Sequence, residues 1–173
     1  MKKDFVMPIL VLGLICLLMT GALVAVNTVT QPVIREAAAQ RADTARKEVI
    51  PQADGFVLLE ADGLPKSIKE IYGTNNDTGY IFVIETVGYG GEMTLMCAIG
   101  PDGTIIKTMT LAEMETKGIA TPVFDMESDY IGKDRNLEGI DTVSGATITS
   151  KAYMGGVRDA FEAFELIMGG LML

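Results

Sequence analysis

The chain contains no histidine. Imidazole acid–base catalysis, histidine triads and most zinc and haem ligation are thereby excluded. Only two cysteines, Cys16 and Cys97, occur among its 173 residues, whereas an iron–sulfur cluster ordinarily takes four thiolates. Cys16 lies in an apolar run and Cys97 in an expected strand, so an internal disulfide is not expected. Basic residues are the minority, 14 against 23 acidic ones, for a net charge of −9. Nothing forms the basic stripe that nucleic-acid phosphates require, and anionic lipid surfaces would repel the chain. Internal repeats, low-complexity tracts and a nicotinamide fingerprint are also missing. Redox chemistry in this chain would need a bound cofactor.

The length allows one domain and a membrane anchor, not two sizeable cores. Phe5 to Val26 is almost unbroken apolar sequence, long enough to cross a bilayer as a helix. The expected organisation is an N-terminal tip at 1–4, a transmembrane helix at 5–28, a helical stalk at 29–51 and a domain at 52–173. A cleaved signal peptide is the rival reading, with Lys2 and Lys3 as its basic start and Thr20-Gly21-Ala22 as its cleavage site. The apolar run continues through Leu23-Val24-Ala25-Val26, longer than a signal peptide needs, which favours a retained anchor. Ile15 is too bulky to precede a lipid-modified Cys16. Lys2 and Lys3 on one side balance Arg35, Arg41, Arg46 and Lys47 on the other, so charge alone leaves the orientation open.

Pro32 to Ile50 reads as an alanine-rich helical stalk bounded by Pro32 and Pro51, either a spacer or docking surface or, at least as well, a solvated helix continuing from the membrane. Short runs of strand type follow at Gly55–Ala61, Ser67–Tyr72, Gly79–Val87, Met93–Ile99 and Thr104–Thr110. Gly100-Pro101-Asp102-Gly103 has hairpin chemistry. From Ser150 the period becomes helical, with Tyr153, Val157, Ala160/Phe161, Phe164 and Ile167/Met168 on one face and Gly169-Gly170 as a stop. The fold class is α+β: an N-terminal membrane helix and a small domain whose antiparallel sheet is packed by a C-terminal helix. Met93, Met96, Met109 and Met114 fall in the expected core as packing residues.

Asp141-Thr142-Val143-Ser144-Gly145-Ala146-Thr147 leads into that helix. Small residues there let the backbone approach a phosphate, and free N–H groups at a helix start can bind it. The bland reading of the same string is an Asx-type turn and an ordinary helix cap. The string resembles the acceptor motif of proteins that carry FMN as a phosphoester on threonine. Gly88-Tyr89-Gly90-Gly91 before an apolar strand, and the 100–103 hairpin, resemble that family's glycine loop and hairpin. Glu115-Thr116-Lys117-Gly118-Ile119-Ala120 sits where the family has Glu-Thr-Pro-Gly-Leu-Gly, with Lys117 and Ala120 departing from it. Together these segments are similar to the FMN-carrying G component of the Rnf complex. The C component of the sodium-translocating NADH:quinone reductase is similar but longer.

The resemblance implies covalent FMN on Thr147, attached by a flavin transferase that recognises Asp141, Ser144, Gly145, Ala146 and Thr147. It implies cofactor contacts from Glu115, Thr116, Gly118, Ser144, Gly145 and Ala146. It also implies an electron-carrier subunit of a membrane-bound ferredoxin:NAD oxidoreductase, with no complete active site of its own. The other subunits would be its partners, the soluble domain would lie outside the cytoplasm, and ion translocation would belong to the complex. Tyr89, Tyr130 and Tyr153 are candidate ring neighbours whose plainer reading is core. The competing functions are a stand-alone flavinylated reductase and a non-redox anchored binding module. The first would call for a substrate domain or haem motif; the second would make the threonine motif a mere cap.

Overall fold

The computed structural model describes residues 2–115, 118 and 120–171, and omits the side chains of 2–6, 8, 33–39, 41, 170 and 171. The chain divides into two units, Met1–Asp43 and Thr44–Leu173. Helix α1, Lys2–Val49, supplies the first unit and, from Thr44, the opening turns of the second. Over Ile9–Pro32 it is long and apolar enough to cross a membrane, and its side chains are exposed throughout. The helix runs through Pro32, in keeping with the reading of residues 32–50 as a helix continuing from the apolar stretch. A proline removes one N–H bond and costs about 3 kcal/mol, less than ending a long helical ladder. Polar side chains just before it are satisfied inside the helix: the Thr28 hydroxyl donates to the Val24 carbonyl at 2.7 Å and Thr30 to Val26 at 2.8 Å.

The second unit is a five-stranded antiparallel meander: β1 Phe56–Leu59, β2 Ile68–Thr74, β3 Tyr80–Val87, β4 Glu92–Ile99 and β5 Ile105–Glu113. All five expected strands are present with shifted ends. Glycine and proline chemistry closes the β4–β5 hairpin, where Gly100 N–H donates to the Thr104 carbonyl at 2.8 Å and Gly103 takes a φ of +77°.

The sheet buries both faces, so alternate residues serve two cores. Phe82, Ile84, Leu95, Cys97 and Ile99 join one core; Ile81, Met96 and Ala98 join the other. The second core is closed by Ala45, Val49 and Ile50 from the end of α1 and the residue after it. Arg46 lies 3.9 Å over the Tyr72 ring centroid there and donates to the Tyr72 hydroxyl at 2.7 Å.

Helix α3, Thr147–Leu171, covers the first core with Tyr153, Val157, Ala160, Phe161, Phe164 and Ile167. It approaches β3 closely at Gly156, where a Cβ would come within 2.9 Å of Ile84 Cγ2. The helix runs through Gly169-Gly170 to Leu171, the last residue described; glycine weakens a helix without of itself ending it. Helix α2, Thr121–Asp125, and a 3-10 turn, Met126–Tyr130, have no counterpart among the elements expected from the sequence. Five residues are too few for a helical period to register. They bring Val123 and Tyr130 into the first core and Glu127 against β5.

Candidate functional site

The β3–β4 loop, the segment after β5 and the start of α3 meet around a cavity of about 410 Å³. Its lining is Tyr89, Glu115, Ala120, Gly145, Ala146, Thr147, Ile148 and Thr149. The volume falls within the roughly 300–1,000 Å³ typical of small-molecule and cofactor sites.

The motif turn owes its shape to two residues. Gly145 has a φ of +86°, which a side chain would strain. Ser150 secures the turn from within the helix: its hydroxyl accepts the Val143 N–H at 3.0 Å and donates to the Ala146 carbonyl at 3.0 Å. Ser144 does neither and is exposed. Asp141 is also exposed and accepts the Thr142 N–H at 2.7 Å.

Ser150 N–H is the first to bond at the helix start, to the Ala146 carbonyl at 2.9 Å. The N–H groups of Thr147, Ile148 and Thr149 have no backbone partner among the described residues. With the helix dipole they favour an anion. Thr147 is the first residue of α3 and exposed, and its hydroxyl has no hydrogen-bond partner among the described residues.

Thr149 lies two residues on, roughly 200° round the helix. Its side chain is therefore turned inward, 1% exposed, and its hydroxyl donates to Glu115 Oε1 at 2.9 Å. Glu115 Oε2 accepts the Gly90 N–H at 2.9 Å. Charge-assisted bonds of this kind contribute about 1.5–3 kcal/mol each, which offsets much of the cost of burying the carboxylate.

The structure thus brings Glu115, Gly145, Ala146 and Thr147 to one cavity. Gly118 is exposed at a φ of +90°, donates its N–H to the Thr121 hydroxyl at 3.1 Å and does not line it. Thr116 lies outside the described residues. Tyr89 is not core: it is 75% exposed at the cavity, since the glycine loop holds it away from both cores. Met114 is likewise 71% exposed, one residue beyond β5. Tyr130 and Tyr153 are core, with ring centroids 5.3 Å apart, and burial pushes both hydroxyl pKa values upward. Burial pushes the Cys97 thiol up to about 12, leaving it protonated and unreactive. Thr149, Ile148 and Ser150 escape a reading of the sequence as a string, although the 100° step of a helix is enough to separate Thr147 from Thr149.

The chemistry of this lining fits a flavin mononucleotide: exposed aromatic and aliphatic groups suit a flat ring, and the unbonded helix N–H groups suit its phosphate. Residues 88–162 match the FMN-binding domain family. Over 175 residues the chain is 30% identical to the G component of the ion-translocating oxidoreductase complex of Stutzerimonas stutzeri, covering 87% of this chain and 77% of that one. The chain belongs to the family of these G components. It is 28% identical to the G component of the proton-translocating ferredoxin:NAD(+) oxidoreductase complex of Clostridium ljungdahlii, over 92% of this chain and 91% of that one. The corresponding component of the Na(+)-translocating complex of Acetobacterium woodii is 27% identical, over 90% and 89%.

Proposed function

We propose that this chain carries FMN as a phosphoester on Thr147 and relays electrons within a membrane-bound ferredoxin:NAD oxidoreductase complex. The observation that carries the reading is the exposed, unbonded Thr147 hydroxyl at the first residue of α3, on the lining of the cavity. FMN supplies one- and two-electron transfer when bound. Tyr89, Ala120 and Ile148 would hold its ring, and the N–H groups of Thr147, Ile148 and Thr149 would offset the remaining phosphate charge.

Thr147 needs a base to become a nucleophile. The chain has no histidine, and the one carboxylate of the cavity lining, Glu115, is engaged by Gly90 and Thr149. An external flavin transferase therefore makes the bond. With FAD as donor, the threonine oxygen joins the flavin-side phosphorus and the pyrophosphate bond breaks. AMP leaves, and the threonine proton passes to the enzyme's base.

Ile9–Pro32 anchors the chain, and the domain lies outside the cytoplasm, where a tethered cofactor cannot be lost to dilution. Ferredoxin, nicotinamide and the ion path belong to other subunits. Relatives named as parts of proton- and sodium-translocating complexes support this assembly. Labelling of a Glu162→Cys variant in whole cells by a membrane-impermeant reagent tests the orientation; protection from the reagent contradicts it.

The attachment is tested by co-expression with a flavin transferase and a denaturing gel viewed under ultraviolet light. Wild type should fluoresce, and Thr147→Ala should not. Flavin that leaves wild type on denaturation, or fluorescence that survives Thr147→Ala, overturns the reading.

A further inference from the structure

Glu115 is a carboxylate with 8% exposure and no cation beside it among the described residues. Both its oxygens are used: Oε2 accepts from Gly90 N–H and Oε1 from the Thr149 hydroxyl, each at 2.9 Å. Thr149 Oγ1 in turn accepts a longer bond from Tyr89 N–H at 3.4 Å. One side chain thus ties the β3–β4 loop to the first turn of α3.

The loop is shaped around that carboxylate. A Cβ on Gly88 would overlap Glu115 Oε1. A Cβ on Gly90 would lie 2.7 Å from the Met114 carbonyl oxygen and 2.9 Å from Glu115 Oε2. Those two glycines admit the carboxylate, and between them Tyr89 projects at the cavity. Buried carboxylates persist where donors converge on them, and here two do.

We propose that Glu115 is a positioning residue: it clasps the glycine loop to α3, fixes Tyr89 at the cavity, and keeps the Thr149 hydroxyl occupied so that Thr147 alone is offered for modification. The proposal rests on the reading of Thr147 as the acceptor. Glutamate suits the task because both oxygens only accept. Glutamine still accepts from Gly90, and Thr149 can reverse its role and accept from the glutamine amide. Alanine removes both bonds.

The test uses the full chain co-expressed with a flavin transferase, in Glu115→Ala, Glu115→Gln and Thr147→Ala forms. Amide hydrogen exchange is read at Tyr89 and Gly90, and flavin occupancy is read peptide by peptide. Glu115→Ala should speed exchange at those two amides about tenfold or more while β3 and β4 keep wild-type protection. Its flavin occupancy should fall several-fold, with some adduct appearing on Thr149. Glu115→Gln should restore both readouts towards wild type. Thr147→Ala should lose the adduct yet keep Gly90 protected, so failure of the acceptor reading is visible separately from failure of the clasp. Wild-type exchange and occupancy in Glu115→Ala, or a rise in exchange spread evenly over the sheet, overturns the proposal.

Discussion

The two long helices place their apolar residues in opposite ways. Over residues 9–26 of α1 apolar side chains lie on all sides of the helix, and every side chain there is exposed. Along α3 a stripe of apolar residues is buried against the sheet, with Ile148 and Leu166 outside it, while Arg158, Glu162 and Glu165 face solvent. Mean hydropathy separates the two, since among the described residues only Ile9–Pro32 is apolar enough to cross a membrane, and the one-sided period of α3 sets it apart again. A helix apolar all round needs an apolar surrounding, and a one-sided helix needs a sheet to cover. The difference explains why the site is built on α3, since only a helix fixed against a sheet can hold a hydroxyl in place at a cavity.

Truncation gives the largest contrast. Phe161 is 2% exposed, and Phe161→Ala should cost about 3–5 kcal/mol of domain stability. Leu17 is 71% exposed, and Leu17→Ala should stay within about 0.5 kcal/mol. Chemical denaturation of the detergent-solubilised chain measures both, and equal losses would break the comparison. A charge sharpens it from the other side. Leu17→Arg should cost about 3–4 kcal/mol of membrane insertion and reduce the fraction resisting carbonate extraction, while the domain's unfolding midpoint is unchanged. A domain midpoint that moves with it would show that the apolar stretch contributes to the domain's stability.

The smallest effect lies under α3. Glu127 accepts from the Thr110 N–H and hydroxyl, both at 2.6 Å, and from the Tyr153 hydroxyl at 3.4 Å. Burial raises its pKa above the ordinary 4.5, against the lowering effect of these bonds. A carboxyl raised on folding favours the folded state below its unfolded value, and that contribution is lost as pH rises through the folded value. Stability of the wild type should therefore fall relative to Glu127→Gln as pH rises above about 4.5. Parallel stability profiles of the two would show that Glu127 titrates alike in both states.

The same periodicities decide what can be read from the sequence. Phe82/Ile84 against Ile81/Val83, and Tyr153, Val157 and Phe161 at helical spacing, announce a two-faced strand and a one-faced helix. The hairpin at 100–103 is legible from its turn residues. Helix α2 and the following turn are not, because five residues carry no period and their burial comes from distant partners such as Thr110. At the site, the small residues Gly145 and Ala146 and the hydroxyl of Thr147 are visible as a local string. The Glu115–Thr149–Gly90 tie is not, since it joins positions separated by 34 and 25 residues. The glycines flanking Tyr89 mark a loop in the sequence, but an aromatic side chain weighs towards the core there, and only the packing shows that it faces the cavity.

Two hydroxyls share one helical turn, Thr147 without a hydrogen-bond partner among the described residues and Thr149 engaged by Glu115. Tandem mass spectrometry of the peptide spanning Asp141 to Lys151, from protein matured with its transferase, shows directly which of them is modified. The account predicts a single FMN phosphoester on Thr147, lost in Thr147→Ala. An adduct localised to Thr149 or Thr142 in the wild type, or none on this peptide from fluorescent protein, would contradict it.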